Sequence, residues 1–197
     1  NSFATSTPTV DADRVYVCRT EAARVTLCAL AHNGEQVWEK DLGPFTAQHG
    51  GGTSPILHDG MVIFPDEQSG ESFLIAMDAR TGETRWKTPR TSGAGSYSTP
   101  CVYQPKQGKA QLIFNSEVHG ISGLAPDTGK VIWEFDKAFD KRSVSSPVIA
   151  GEFIIGSCGS GGGGNFVVAV RPGNPTTGAK PERAYEVRRS APYVPTS

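Results

Sequence analysis

The chain has 197 residues with a formal charge of −1 and a mean hydropathy of −0.31. That balance gives no electrostatic reason to expect nucleic acid or an anionic membrane as partner, and no apolar run approaches the roughly 18 residues that span a bilayer. Four dispersed cysteines without a CxxC spacing exclude a disulfide scaffold and a CxxC redox or zinc site, while 23 Gly and 14 Pro announce many turns.

In chain order, TSTP at 5–8 leads through proline into a short strand and the turn DAD. The strands RVYVC (14–18) and VTLCALA (25–31) follow, and Asn33-Gly34 turns the chain into EQVWEKDL, which carries Trp38. The same order restarts at GTSP (52–55), with the turn HDG, the strands MVIFP (61–65) and FLIAMDA (73–79), and the Trp86 strand ETRWKTP. A third copy begins at YSTP (97–100), with AQLIFN (110–115), GISGLAP (120–126) and KVIWEFD around Trp133. A fourth begins at VSSP (144–147), with EFIIGS (152–157) and FVVAVRP (166–172). Runs of β-branched and aromatic residues bounded by Gly, Pro, Asn and Asp are strand signals, and no segment of ten or more shows a clean helical period.

Pro8, Pro55, Pro100 and Pro147 are separated by 47, 45 and 47 residues, and the three tryptophans by 48 and 47. Two markers that keep one period define a repeat of four short antiparallel strands, the unit of a β-propeller blade. A helical solenoid of that period would need amphipathic helices. The expected fold is therefore all-β, a propeller segment of about four blades with units at 5–51, 52–96, 97–143 and 144–190. Residues 191–197, APYVPTS, read as the start of a further unit. Seven or eight blades would need roughly 320 to 370 residues, so the expectation is a partial ring completed by further blades or by a second copy.

Asp78 with Gly82, and Asp127 with Gly129, have the chemistry of a tight turn between third and fourth strands. The carboxylate accepts backbone N–H groups, and glycine supplies positive φ. Each tryptophan, Trp38, Trp86 or Trp133, then stands on the outer strand as a fastening between neighbouring blades. The pattern A-x-D-x-x-T-G-x-x-x-W, seen as AMDARTGETRW and approximately as GLAPDTGKVIW, resembles the repeat of quinoprotein-type propellers. That group includes PQQ-dependent alcohol dehydrogenases and BamB-like outer-membrane assembly lipoproteins. The resemblance runs from residue 5 to about 172 and weakens in the fourth unit, which keeps Thr177-Gly178 but offers Tyr185 in place of tryptophan. It implies an extracytoplasmic, periplasmic setting. The fold hosts enzymes and scaffolds alike.

For a PQQ dehydrogenase, the resemblance would imply adjacent cysteines near the quinone and an acidic residue with asparagine around Ca²⁺. Cys18, Cys28, Cys101 and Cys158 stand apart. Asp66, Glu67 and Asn115 are hard oxygen donors, but they follow second strands of different units and read as solvated loop groups. PQQ and Ca²⁺ are accordingly disfavoured. GSCGSGGGGN (156–165) lacks a following Lys-Ser/Thr and precedes a strand, so it is no phosphate loop. His32, His58 and His119 show no ligand spacing, and no serine stands in G-x-S-x-G.

Connections within each unit from first to second and from third to fourth strand are short, whereas GPFTAQHGGG, TPRTSGAGSY and DKAFDKRSV between units are long. Second-to-third loops vary in length and charge. Alternating strands place these two sets at opposite ends, so one face carries the variable polar loops where function resides. His49, Asp66, Gln68, Arg90, Tyr97 and Arg142 are its candidate binding residues. The reading is a non-catalytic, BamB-like binding or scaffolding module that takes a protein or small ligand there. The alternative is a fragment of a PQQ-dependent or related oxidoreductase, and a carbohydrate or small-ligand sensor stands third. Pairing the strands around Ala22-Ala23 sets Cys18 opposite Cys28, within disulfide reach after slight adjustment. A register slip of one residue would leave two buried thiols on opposite faces. Cys101 and Cys158 are expected free and buried.

Overall fold

In the computed structural model, residues 6–21, 23–93 and 95–192 are described. They form four antiparallel four-stranded sheets, each with its strands in chain order. The first sheet comprises Thr9–Val10 (β1), Arg14–Glu21 (β2), Arg24–Ala31 (β3) and Gln36–Gly43 (β4). The second comprises Ile56–His58 (β5), Met61–Asp66 (β6), Ser72–Asp78 (β7) and Thr84–Arg90 (β8). Cys101–Tyr103 (β9), Gln111–Ser116 (β10), Gly120–Leu124 (β11) and Val131–Phe135 (β12) make the third. Val148–Ala150 (β13), Phe153–Cys158 (β14), Phe166–Arg171 (β15) and Glu182–Val187 (β16) make the fourth. The described residues hold a single helical turn, the 3₁₀ segment Asp136–Ala138. The expected fifth start lies outside the described residues from position 193, as do Thr5 and Ala22.

The chain divides into two compact units, 1–95 and 96–197, each with two sheets. In the first unit, Tyr16, Leu27, Val62, Phe64, Ile75 and Met77 share one core cluster. Its counterpart in the second unit includes Ile113, Ile121, Ile154, Phe166 and Val168. Middle strands such as β7 and β11 are buried nearly throughout, whereas the outer strands β4, β8 and β12 bury mainly their tryptophan. A strand covered on both faces needs continuous apolar character, and an outer strand needs one anchor.

That anchor follows one rule in all four sheets. Trp38 pairs with Ala29, Trp86 with Ala76, Trp133 with Gly123 and Tyr185 with Ala169, and a register shift follows each pair. The small partner makes room for the ring: a Cβ on Gly123 would lie 2.3 Å from Trp133 Nε1. Tyr185 thus occupies the expected tryptophan position, but it is 46% exposed where Trp133 is 6%.

In the first unit, Trp38 of the first sheet docks on the β7–β8 turn of the second. Its Nε1 donates to the Ala79 carbonyl at 2.9 Å, and the indole lies on Gly82. The Ser/Thr-Pro segments supply a second fastening at the first strands. Thr7 N–H donates to Ser54 Oγ at 2.8 Å in the first unit, and Thr99 N–H donates to Ser146 Oγ at 3.1 Å in the second.

Two local expectations are corrected. Strands β2 and β3 pair Cys18 with Leu27 and Val17 with Cys28, a register one residue away from the disulfide alignment. The two sulfurs therefore face opposite sides of the sheet, and all four cysteines are free thiols, with Cys101 only partly buried. In the third sheet Ala125, not Asp127, stands where Asp78 stands in the second. Gly129 N–H closes that turn on the Ala125 carbonyl at 2.9 Å, while Asp127 points to Lys109 at 3.9 Å. Asp78 does act as expected, accepting from Arg80 N–H at 2.9 Å and Thr81 N–H at 2.8 Å.

Candidate functional site

Within each sheet, the second-to-third loop and the long connection leave from the same end. In the first unit this end is held by a buried polar network built on β6 and the 67–72 loop. Gln68 donates from Nε2 to the Pro44 carbonyl at 2.9 Å and accepts from Thr46 N–H on Oε1. Ser69 N–H reaches the Thr46 carbonyl at 2.8 Å, and Ser72 Oγ donates to the Gln68 carbonyl at 2.8 Å. The connection that begins at Pro44 is thereby pinned to the 67–72 loop.

Asp66, at the end of β6, lies beneath this pin. It is 2% exposed; Oδ1 accepts from Gln68 Nε2 at 3.3 Å and Oδ2 has no partner. Burial pushes its carboxyl up to about 7, with the Gln68 hydrogen bond opposing. Glu67 and Arg90 form an ion pair at 2.9 Å with both side chains buried. The solvated-loop reading of Asp66, Glu67 and Asn115 is thus corrected. The loops fold back over the strand ends and take these groups out of water.

In the second unit, Arg142 stands over the Tyr97 ring at 5.6 Å. Asn115 donates to the Ser145 carbonyl at 3.3 Å, and Ser145 and Ser157 share a 2.5 Å hydroxyl contact. Of the six candidates, the structure joins Asp66 with Gln68 and Tyr97 with Arg142, and ties Arg90 to Glu67. Asp66, Gln68 and Arg90 are buried, Tyr97 and Arg142 are partly exposed, and His49 is exposed in the Gly-rich connection. Among the described residues, no three His, Cys, Asp or Glu side chains gather as a metal-binding group.

Concavity is found at the opposite, short-turn end of the second unit. The segment 172–181 forms its own small hairpin, bridged at Asn174 and Ala179. Asn174 Nδ2 ties it to the Gln107 carbonyl at 2.9 Å. A cavity of about 380 Å³ on one side is lined by Tyr103, Lys106, Glu152 and Arg171. One of about 420 Å³ on the other is lined by Gln111, Pro126, Ile132 and Pro175. The sequence shows the Thr177-Gly178 turn of this segment but not its fold against the β9–β10 loop; Asn174-Pro175 beside that turn was the available signal. Arg171 is bound to Glu152 and Glu182, and Gln104 Nε2 to the Pro105 and Gly108 carbonyls. These groups brace the walls.

The fold is shared with solved propellers. BamB from Moraxella catarrhalis superposes with a TM-score of 0.59 at 18% identity, covering 93% of this chain and 48% of that one. The quinohemoprotein alcohol dehydrogenase from Comamonas testosteroni gives 0.62 at 16%, covering 94% and 35%. A europium-containing methanol dehydrogenase gives 0.57 at 16%, covering 92% and 41%. The chain thus spans half or less of the length of each of these structures. Among curated proteins none matches. No helix among the described residues is long and apolar enough to cross a membrane. The family profile described as outer membrane protein assembly factor BamB matches residues 1–184. With four Trp- or Tyr-anchored blades and a profile that covers nearly all of it, the chain belongs to the BamB family of PQQ-like-repeat β-propellers.

Proposed function

We propose that the chain is a non-catalytic binding module, and that the loop-rich sheet ends engage a protein partner in an extracytoplasmic, periplasmic setting. The observation that carries this reading is the use made of the polar groups there. Glu67 is committed to Arg90, and Gln68 to the backbone of the Pro44–Thr46 segment. A site built for chemistry leaves polar groups free to meet a substrate; here Glu67 is taken up by Arg90, and Gln68 holds a connection in place. The family description, an assembly factor, favours protein as the partner.

The alternative is an oxidoreductase like the quinohemoprotein and methanol dehydrogenases that share the fold. The residues fit quinone and Ca²⁺ poorly. Adjacent cysteines are absent from the sequence, Glu67 is paired with Arg90, and no three His, Cys, Asp or Glu side chains gather among the described residues. Reconstitution with PQQ and Ca²⁺, followed by quinone absorbance and reduction of an acceptor dye, separates the two readings. The expected result is neither bound quinone nor dye reduction. A stoichiometric, tightly held quinone would favour the enzyme.

A further inference from the structure

We propose that Asp66 is a proton-operated latch on the loop-rich end of the first unit. In its neutral form it lets Gln68 hold the connection that begins at Pro44 against the 67–72 loop, and on ionising it releases that hold.

The geometry sets the two states apart. One carboxyl oxygen, Oδ1, has a single long bond from Gln68, and Oδ2 has none, within a group that is 2% exposed. A neutral acid tolerates that environment. A carboxylate with an oxygen lacking any donor does not, because a buried charge needs hydrogen bonds or a counter-ion. No neighbour supplies either. Lys87 on β8 and Glu71 in the loop act on Asp66 with opposite signs, and they pair with each other at 3.0 Å. Glu67, next in sequence, is matched by Arg90. From β2, Cys18 lies close enough to feel the Asp66 charge, but burial pushes its thiol up to about 12, so it stays a neutral thiol and adds no charge. The amide that touches Asp66 is the one that pins Pro44 and Thr46. The least costly relief for an ionised Asp66 is to admit water past Gln68, which opens the pin. Burial holds the carboxyl near 7, so the change falls at neutral pH.

This latch does not depend on what the loops bind, and its test needs no partner. Amide hydrogen-exchange protection, corrected for the intrinsic pH dependence of exchange, is measured at Thr46 and Ser69 at pH 5.5 and 8.5, with Leu27 in the core as reference. In the unsubstituted protein, protection at Thr46 and Ser69 is expected to fall at least tenfold at the higher pH while Leu27 stays constant. Asp66→Asn, which mimics the neutral acid, is expected to keep both amides protected at both values. Equal protection at the two pH values in the unsubstituted protein, or the same fall in Asp66→Asn, would overturn the latch. If Asp66→Asn does not fold, the Asp66 carboxyl carbon is titrated by NMR in the unsubstituted protein. A midpoint near neutrality, shared by the Thr46 and Ser69 amide shifts, supports the latch. A carboxyl already ionised at pH 5 refutes it.

Discussion

Trp38 stands on β4 of the first sheet and Gly82 in the β7–β8 turn of the second, yet a Cβ placed on Gly82 would come within 2.7 Å of the Trp38 Cδ2 atom. The glycine also has φ of +74°, so both the close approach and the backbone conformation demand it. The T-G turn and the tryptophan are thus two halves of one joint: the ring of one blade is received by the turn of the next.

Gly82→Ala is therefore expected to cost roughly 2–4 kcal/mol, combining a left-handed alanine with overpacking against the indole. Gly34→Ala is the control. It has φ of +90° with nothing within 4 Å of the added Cβ, and the expected cost is about 1 kcal/mol. Urea unfolding monitored by tryptophan fluorescence compares them, and equal losses would show that the Trp38 contact carries nothing.

In the second unit the joint is made differently. Trp133 Nε1 donates to Gln111 Oε1 at 2.6 Å, and the ring packs on Gly173. A double-mutant cycle between Trp133→Phe and Gln111→Ala is expected to show coupling of about 1–2 kcal/mol in unfolding experiments. Additive effects would mean that the bond contributes nothing.

Much of this fold could be read from residues with special shapes. The prolines, tryptophans and turn glycines gave the period, and β6, β7 and β8 fall within a residue or so of their expected positions. Properties set by a single residue of register escaped. Cys18 faces Leu27 because the β2–β3 pairing is shifted by one from the assumed turn centre. Asp127 reads like Asp78 because both precede Thr-Gly, yet the pairing of Trp133 with Gly123 puts Ala125 at that position. Candidate-site burial was hidden for another reason. Alternation reports which face of a strand is covered, but it says nothing about a connection folding back over the strand end, and that fold buries Asp66 and Gln68.

Cys18 and Cys28 are expected to remain thiols even after oxidising preparation. Burial pushes Cys18 to about 12 and raises Cys28 above its ordinary value, so few thiolates exist at pH 8 to react. Native protein should react slowly with a thiol reagent, and denatured, non-reduced protein should show four thiols. Two thiols would restore the disulfide.

Two aspartates give opposite pH dependences. Asp66 is raised to about 7 by burial, so its stabilising contribution is full below about pH 4. It is lost as pH rises through 7, worth up to about 4 kcal/mol. Asp78 is held down to about 2, chiefly by Arg85 and then by the Thr81 N–H. Its contribution is present above about pH 4 and fades as pH falls through 2. Asp66→Asn should flatten the unfolding free energy between pH 4 and 7.5, and Asp78→Asn should flatten only the acid limb. A neutral-range slope that survives Asp66→Asn would assign it to another group.

The central claim is that the loop-rich sheet ends bind a protein. Photo-crosslinking residues are placed in the native polypeptide at His49 or Arg142, at the loop-rich ends, and at Asn33 or Thr128, in the short turns. Each variant is irradiated in cells that produce the protein, and the products are identified by mass spectrometry. The account predicts discrete, reproducible protein cross-links from His49 or Arg142 and none from Asn33 or Thr128. Cross-links confined to Asn33 and Thr128, or none from any position, would contradict it.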